Sequence, residues 1–365
     1  AGDIYKAAYE IKYCVGCELE KTDSELVDGC CPLHPNTEIE IREEENYYFR
    51  FSKYKDALLK HCAEQQDFVL PKERMNEITS FVTAGLKDFS ISRRREKMSW
   101  GIPVPDDDEH VMYVWFDALV NYISAIGWPD DKEKFNKWWP ATQLAGKDNL
   151  RQQTAMWQAM LLSAELPLSR QIFIHGFITS GGQKMSKTLR NVINPIDLIE
   201  KYGVDTVRYI LLRHANPFED SDLTIESIHN YYTDHLVNGL GNLVARVMKL
   251  AEEHLQGPVA MPPQDFQPDA QFVKKIEEFR FNEALDYIWE KIAVADNYMT
   301  TSSPYKKVKM DEEYWQQKGR EDIFKLVGDV GIIAVHLQSV MPKTAKIILA
   351  AILANKKPEN LFPRI

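Results

Sequence analysis

A short lysine-rich loop in the middle of the chain has residue types that suit the binding of a polyphosphate. Residues 181–188 read GGQKMSKT, which places Lys184 and Lys187 three residues apart with hydroxyl side chains beside them. Lysine carries a compact charge on a long stem, and glycine frees the preceding backbone to open and close. We therefore predict a mobile clamp on phosphate groups. From the spacing alone, a solvated basic turn remains the alternative.

Cysteines near the beginning of the chain have spacings typical of a zinc site. Cys14 and Cys17 form one pair, and Cys31 and His34 form a second. Each pair can place two soft ligands on one tight turn, and two such turns complete a tetrahedron for Zn²⁺. We predict one structural zinc ion at these four residues. Cys30 stays open as a replacement for Cys31, and reduced, partly buried cysteines are the alternative to a metal site.

Two further groups of residues lie near the ends of predicted strands, where open α/β sheets bind their ligands. Gly146 admits close approach of a ribose, and the carboxylate of Asp148 can accept hydrogen bonds from ribose hydroxyls. Trp115, Ala118 and Tyr122 place two aromatic walls around a small residue, which suits a slender, polarizable side chain such as a thioether. For Gly146 and Asp148, the plainer interpretation is a turn with a helix cap. For the aromatic group, it is ordinary aromatic core.

Alternating strands and helices must position these groups. A buried strand is predicted over 111–116, with Asp117 capping the next helix, then a helix over about 150–164 and a strand over 172–178. This order indicates parallel βαβ units in an open α/β sheet, with the lysine loop at its edge.

The flanking segments have simpler patterns. Residues 1–50 are predicted to be strand-poor at first, with strands from about residue 38, and amphipathic helices follow over about 53–65 and 73–86. A further helix should begin near Pro195. From about Ile225 onward apolar residues recur at helical spacing around a proline-containing loop at 254–268, which predicts an all-helical bundle.

The composition of the chain limits the classes of partner that it can bind. The 365 residues carry 44 basic and 54 acidic side chains, a net charge of −10. This balance argues against indiscriminate polyanion binding, although local basic patches can still contact a nucleic acid. No run of eighteen apolar residues predicts a membrane span, so we expect no membrane partner and a cytoplasmic location. The chain begins at Ala1 without an initiator methionine, and we expect further residues upstream.

Together these motifs resemble those of methionyl-tRNA synthetases, a family of class I aminoacyl-tRNA synthetases, over essentially the whole chain. The matching segments are FSISR at 89–93, WGIPVP at 100–105, YVWFDA at 113–118, GKD at 146–148 and KMSKT at 184–188. The cysteine pairs lie where the family has a connective insertion. The resemblance implies that L-methionine and ATP form methionyl-adenylate, after which the methionyl group passes to tRNA(Met).

The resemblance also implies a role for each matched residue. Arg93, Lys184 and Lys187 would be catalytic, stabilising charge on the phosphates of ATP, which Mg²⁺ accompanies. The residues that contact ATP would be Gly146, Asp148, Lys184, Met185, Ser186 and Lys187. The residues that hold methionine would be Trp115, Ala118, Tyr122 and Gln153. The residues that read the tRNA anticodon would be Asn242, Arg246 and Tyr305.

The anticodon residues follow the family pattern with one change. Asn242 and Arg246 are four residues apart on a predicted helix, so both can reach one base. Tyr305 stands where the family usually has tryptophan and would stack on a base with less area. Three nearby lysines add local positive charge for phosphates.

The implied fold is α/β plus all-α. It comprises the second half of a class I Rossmann-like catalytic domain with a zinc-knuckle connective insertion, followed by an α-helical anticodon-binding bundle. The predicted domains are the insertion with the zinc knuckle at 1–90, the catalytic half at 91–178, a lysine-loop linking domain at 179–228 and the anticodon-binding domain at 229–365.

Departures from the family pattern limit what this chain can do. The His-x-Gly-His element is absent, so the N-terminal half of the catalytic domain is expected on upstream sequence, and this chain alone is predicted not to activate methionine. Asn149 and Gln153 stand where the family has an apolar residue and a histidine. The other departures are Leu119 for proline, Thr188 for serine and Arg190 for glycine.

Three alternatives remain from the sequence. Another class I synthetase, for leucine, isoleucine, valine or cysteine, is disfavoured because large editing insertions are lacking and the motif order fits methionine. A non-catalytic tRNA-binding module could retain this half of an enzyme. A zinc-dependent structural adaptor would leave the lysine loop without a purpose.

Overall fold

The structure, a computed structural model, describes residues 2–17, 19–21, 25–186, 191–257 and 267–365. The chain divides into two compact units, Ala1–Ile174 and His175–Ile365. Within the described ranges, every helix is too short or too polar to cross a membrane. The finer division into four domains stays a prediction.

A long antiparallel ribbon begins the first unit. Strand β1 (Ile4–Cys14) pairs with β3 (Glu40–Phe49) along nearly its whole length, and β2 (Leu19–Lys21) pairs with the end of β1. The prediction that this region is strand-poor at first is wrong, whereas strands from about residue 38 are confirmed. The missed signal is the alternation of Tyr5, Ala7 and Tyr9, which has the period of a strand.

Two of the predicted helices follow the ribbon and are confirmed. The elements are α1 (Lys55–Glu64), β4 (Val69–Leu70), α2 (Lys72–Ala84) and β5 (Phe89–Ser90). Strand β5 pairs with β3, so the first sheet has the order β2-β1-β3-β5. The helices bury Leu58, Ile78 and Val82 in the core of this unit, as their amphipathic spacing requires.

A small antiparallel sheet carries the first group of candidate site residues. Its strands are β6 (Ser92–Arg94), β7 (Pro103–Val104) and β8 (Asp107–Met112), in the order β6-β8-β7. The predicted strand at 111–116 is wrong in its second half, because the chain turns at Tyr113 into α3 (Val114–Ala118). Asp117 therefore lies inside this helix and does not cap it. A short apolar run has the same pattern in a strand and in a buried helix, so periodicity could not distinguish them.

Two polar side chains of the ribbon fasten it to this small sheet through the carboxylate of Asp107. The acid accepts hydrogen bonds from Lys6 Nζ at 3.0 Å and from the Tyr47 hydroxyl at 2.9 Å, and His110 Nδ1 lies 3.1 Å away. The bond from Lys6, more than any other contact, holds the pKa of the Asp107 carboxyl below its usual range. The acid therefore stays charged and paired at neutral pH.

A three-stranded sheet completes the first unit. The remaining elements are α4 (Asn121–Ser124), α5 (Lys132–Trp138), β9 (Thr142–Gly146), α6 (Trp157–Ser163) and β10 (Gln171–His175). The sheet order is β4-β10-β9, and β4 runs parallel to β10. A π-helical turn at Gln152–Met156 precedes α6, and together they confirm the predicted helix near 150–164.

The second unit begins with a short hairpin, and the predicted strand at 172–178 is interrupted before it, because β10 ends at His175 and the next strand begins at Ile178. The hairpin strands are β11 (Ile178–Ser180) and β12 (Gln183–Lys184). The chain breaks pairing at Gly176 because its backbone lies directly against that of Glu219, where a Cβ atom would clash. Phe177 N donates to Asp220 Oδ1 at 2.8 Å, which fixes the break.

Helices that share one core make up the rest of the second unit. In order they are α7 (Pro195–Tyr202), α8 (Val204–His214), then strand β13 (Ser221–Asp222), α9 (Ile225–Tyr231), α10 (Asn242–His254), α11 (Ala270–Glu277), α12 (Phe281–Ser302), α13 (Pro304–Lys307), α14 (Glu313–Leu337) and α15 (Pro342–Ala354). Leu236, Val244 and Ile288 are fully buried between them. The helical character from about residue 225 and the start at Pro195 are confirmed. Part of the predicted loop, 258–266, lies outside the described residues.

Candidate functional site

The two cysteine-containing turns meet in the first unit. The ligand atoms of Cys14, Cys17, Cys31 and His34 all lie within 4.8 Å of one another. Cys17 Sγ is 3.4 Å from Cys31 Sγ and 3.2 Å from His34 Nδ1, and Cys14 Sγ is 3.7 Å from that nitrogen. Zinc–sulfur bonds of about 2.3 Å at tetrahedral angles separate two ligand sulfurs by roughly 3.8 Å. The cluster therefore has the size and donor set that could hold a zinc ion.

Local packing selects the residues of the second pair of this cluster. Gly16 leaves room for the His34 ring, because a Cβ atom on it would lie 2.6 Å from that ring. Cys31 is fully buried and faces the cluster, whereas Cys30 pairs its backbone with Val27 and lies outside the cluster. The alternative between Cys30 and Cys31 is therefore decided for Cys31 within the described residues.

The cluster also favours a thiolate. Burial works to raise the pKa of Cys31, but hydrogen bonds from His34 and Cys17 outweigh it and lower that pKa to about 6. Burial, together with the bond to Cys31, raises the pKa of Cys17 to about 11. The neighbouring thiols therefore share negative charge, which a divalent cation would neutralise.

The lysine loop extends from a tight hairpin in the second unit. Gly181 and Gly182 have φ of 65° and 72°, the left-handed conformation that a two-residue hairpin turn needs. Asp222 fastens the hairpin by accepting from Gly182 N at 2.8 Å. Lys184 is exposed, and its Nζ lies 4.8 Å from the centroid of the Phe177 ring, a cation–π distance. Lys187, Thr188 and Arg190 lie outside the described residues.

One side chain that sequence reasoning missed ties the two ends of this loop together. Asn191 Oδ1 accepts from Ser186 N at 2.9 Å, and Asn191 Nδ2 donates to the carbonyls of Lys184 at 3.3 Å and Ser180 at 3.4 Å. A single amide can do this because it has both an acceptor and two donors. The residue thus fixes the backbone of Lys184 and Ser186 relative to the hairpin.

The first unit contains the other nucleotide candidates. Gly146 ends strand β9, and Asp148 is exposed in the helical turn that follows, so both lie at a strand's carboxyl end as predicted. Arg93 Nη1 donates to Ser90 Oγ at 2.6 Å, and its guanidinium lies 4.2 Å from the centroid of the Tyr113 ring. These contacts hold the guanidinium in one orientation.

The candidate methionine residues lie on consecutive short helices. Trp115 and Ala118 are half-buried on α3, and Tyr122 is on α4. Gln153 Nε2 donates to the Tyr122 hydroxyl at 2.9 Å. Gln153 is 4% exposed, and its Oε1 has no hydrogen-bond partner among the described residues. A buried acceptor without a partner is costly, which indicates a position where a ligand or water donates.

The candidate anticodon residues lie in the helical unit. Asn242 is exposed at the start of α10, beside a cavity of about 400 Å³ that Asn238, Phe362 and Arg364 also line. Arg246 Nη1 forms an ion pair with Asp296 Oδ1 at 2.8 Å, a partner that the sequence analysis did not find. Tyr305 is 37% exposed on α13.

Comparisons with known proteins identify the family. The sequence pattern of the tRNA synthetases class I (M) matches residues 2–248. This chain is 39% identical to a methionine–tRNA ligase of Caldanaerobacter subterraneus subsp. tengcongensis across 94% of this chain and 55% of that protein. It is 37% identical to a methionine–tRNA ligase of Thermotoga maritima across 98% of this chain and 59% of that protein.

A solved structure agrees with these relatives. The methionyl-tRNA synthetase of Mycobacterium tuberculosis, bound by methionyl-adenylate, superposes with a TM-score of 0.88 at 36% identity, covering 99% of this chain and 78% of that one. The fold is thus that of a class I tRNA synthetase, with mixed α/β and helical parts. The chain belongs to the tRNA synthetases class I (M) family. It spans between half and three-fifths of the length of the two relatives above.

We expect replacement of Cys31 by Ala to remove the metal from this chain, because a tetrahedral site with three ligands binds zinc far more weakly. Zinc content by elemental analysis should fall from one atom per chain to near zero, and the thermal midpoint should fall with it. Cys30→Ala is the matched control and should keep its zinc. Equal loss from both variants would contradict the assignment of Cys31.

We expect Asn191→Ala to loosen the lysine loop, because Ser186 N and two carbonyls lose their partner. Amide hydrogen exchange of the segment around Ser186 should become at least tenfold faster, which corresponds to roughly 1.4 kcal/mol. Asn194→Ala is the control, since Asn194 caps α7 by accepting from Ile196 N at 3.0 Å. It should accelerate exchange in α7 and leave the Ser186 segment unchanged. Unchanged exchange in Asn191→Ala would refute this role of the side chain.

Proposed function

We propose that this chain belongs to a methionine–tRNA ligase that activates L-methionine with ATP and transfers it to tRNA(Met). The observation that carries the proposal is the match, over 99% of this chain, to a synthetase solved with methionyl-adenylate. The named relatives, all methionine–tRNA ligases, favour methionine over leucine, isoleucine, valine or cysteine. Because those relatives are longer than this chain, we assign the activity to a whole protein of which this chain is a part.

ATP would be bound by the residues that match the family's motifs. Gly146 and Asp148 would bind the ribose, since a carboxylate at a strand end accepts hydrogen bonds from hydroxyls. Lys184, Met185, Ser186 and Lys187 would contact the phosphates. Arg93 would face them too, with its guanidinium oriented by Ser90. Cations fixed before the reaction stabilise charge that develops in the transition state. Mg²⁺ would accompany the nucleotide.

Methionine would lie against Trp115, Ala118 and Tyr122. Because Gln153 donates to the Tyr122 oxygen, the hydroxyl proton of Tyr122 is available to a second acceptor. A thioether sulfur is such a weak acceptor, and the aromatic ring adds a favourable sulfur contact. The buried Oε1 of Gln153 would then accept from a bound water or from the substrate ammonium.

The sheet supports the prediction that catalysis needs more than this chain. In the described part of the chain, β9 has β10 on one side and no strand on the other. Leu144 in the middle of β9 is 57% exposed, although parallel sheets are normally covered on both faces. We propose that the N-terminal half of the catalytic domain adds strands beside β9 and covers this leucine.

The helical unit would bind the anticodon. The exposed amide of Asn242 borders the cavity beside α10, which is large enough for an unstacked base. Arg246, oriented by Asp296, would reach the same base, and Tyr305 would stack on another. The zinc ion would stabilise the ribbon, since all four ligand positions are filled by protein. We propose a cytoplasmic location for the protein.

Methionine-dependent ATP–pyrophosphate exchange tests the activity. We expect exchange with methionine, and not with leucine, isoleucine, valine or cysteine, in a protein extended upstream of Ala1, and none in the 365-residue chain. Lys184→Ala should lower kcat about 10²–10³-fold, as loss of a transition-state contact does. Lys201→Ala, a lysine on α7, should be unaffected. Normal exchange by the 365-residue chain would contradict the need for further sequence, and specificity for another amino acid would contradict the substrate.

Aminoacylation kinetics test the anticodon site. Asn242→Ala should raise KM for tRNA(Met) about tenfold, the loss of roughly 1.4 kcal/mol, without changing pyrophosphate exchange. Lys249→Ala is the control, because Lys249 lies on the same helix and is 64% exposed. A KM for tRNA that stays within twofold in Asn242→Ala would exclude this residue from anticodon reading.

A further inference from the structure

The helix that carries Gln153 contains one turn of a different kind. Trp157 N donates to the carbonyl of Gln152, five residues back, whereas the bonds of an α-helix run four residues back. The Gln153 carbonyl therefore lacks the donor that a regular helix would give it. Turns of this π-helical kind are found frequently at functional sites. Because Gln153 is a buried residue, its carbonyl needs another donor for the turn to persist.

The side chain of Gln158, on α6, supplies that donor. Its Nε2 donates to the Gln153 carbonyl at 2.9 Å and to Ser169 Oγ at 3.0 Å. Its Oε1 accepts from Ser169 N at 3.1 Å. Gln158 is fully buried, and its amide uses both donors and its acceptor oxygen in these three bonds. The amide is therefore held in one orientation under the turn.

The amide of Gln158 is in turn anchored to the sheet of the first unit. Ser169 Oγ donates to Gln143 Oε1 at 2.6 Å, and both of these side chains are buried. Gln143 lies on β9, the strand that ends at Gly146. Hydrogen bonds therefore run without interruption from β9 to the π-helical turn. In a buried environment such bonds strengthen one another, which favours a single arrangement of the groups that they join.

The register of the turn decides where the side chain of Gln153 lies. Successive residues of an α-helix are rotated by roughly 100° about its axis. If the turn reverted to a regular helix, Gln153 would be rotated by about that angle relative to α6. Its Nε2 would then lose the Tyr122 hydroxyl, to which it donates at 2.9 Å. The hydrogen bonds of Gln158 therefore reach Tyr122 through Gln153.

We infer that Gln158 is a positioning residue for methionine binding, which holds the π-helical turn in the register that presents Gln153 to Tyr122. The inference rests on the proposed function, in which Tyr122 and Gln153 contact methionine, and it adds a residue that itself touches no substrate. Loss of this residue weakens the binding of methionine equally in the ground state and the transition state. Such a loss raises KM for methionine and leaves kcat unchanged.

Kinetics of methionine-dependent ATP–pyrophosphate exchange test this role in the upstream-extended protein. Gln158→Met keeps the length of the side chain and removes its amide. We expect KM for methionine to rise about tenfold, while kcat and KM for ATP stay within about twofold. Gln171→Met is the matched control, because Gln171 Nε2 also donates to a backbone carbonyl, that of Asp67, at 2.9 Å. It should change neither KM. An unchanged KM for methionine in Gln158→Met, an equal rise in KM for ATP, or an equal effect of the control would overturn the inference.

A double-mutant cycle separates positioning from a general loss of packing. In a Gln153→Ala background, Gln158→Met should raise KM for methionine by less than about twofold, because the residue acts through Gln153. A further rise of about tenfold in that background would contradict the inference. Ser169→Ala is a smaller change in the same network and serves if Gln158→Met does not fold. It should raise KM for methionine about threefold, and an unchanged KM would count against the role of the network.

Amide hydrogen exchange keeps the inference independent of catalysis. In the 365-residue chain, Gln158→Met should accelerate hydrogen exchange of residues 152–157 about tenfold, and Gln171→Met should leave that segment unchanged. Unchanged hydrogen exchange in Gln158→Met would refute the hold of this side chain on the turn. Absence of methionine-dependent pyrophosphate exchange in the parent protein would refute the proposed function instead. Hydrogen exchange would then decide alone whether Gln158 holds the turn.

Discussion

The first unit depends on the hydrogen bonds to the carboxylate of Asp107, which join its long ribbon to its small sheet. This carboxylate accepts from Lys6 on β1 and Tyr47 on β3, and it lies within hydrogen-bond distance of His110 on β8. The cysteine–histidine cluster lies at the far end of the ribbon, and Arg93 belongs to the small sheet. One paired acid therefore links the ribbon to the sheet that carries Arg93. Its lowered pKa keeps this link intact at neutral pH.

In the second unit too, polar side chains fix neighbouring segments, but here their partners are neutral peptide groups. Asp222 and Asn191 hold the backbone on the two sides of the lysine loop through hydrogen bonds to peptide groups. Both side chains bond the backbone around Lys184, whose Nζ lies over the ring of Phe177. In the function that we propose, a fixed backbone under a long side chain would let the cation bind a phosphate at little cost in entropy.

Local chemistry explains which predictions succeeded. The four predicted ligand residues are confirmed as a cluster because two short C-x-x-(C/H) turns each determine their own geometry, and the amphipathic helices α1 and α2 follow from spacing alone. The strand at 111–116 failed beyond Met112, because a six-residue apolar run fits a strand and a helix equally well. Asn191 and Asp296 were missed, because an isolated polar residue gives no sign of which backbone or charge it will meet.

The sequence by itself determined the family, the donor set of the metal site and the order of the motifs, because these depend on residue type and spacing along the chain. Only the tertiary structure decided that Cys31 rather than Cys30 joins His34 and that Gln153 meets Tyr122. Gln153 and Tyr122 are distant in sequence, and the choice of Cys31 depends on how its turn packs against Cys14 and Cys17. These contacts arise from how strands and helices pack, and packing is set by the whole core rather than by any one segment.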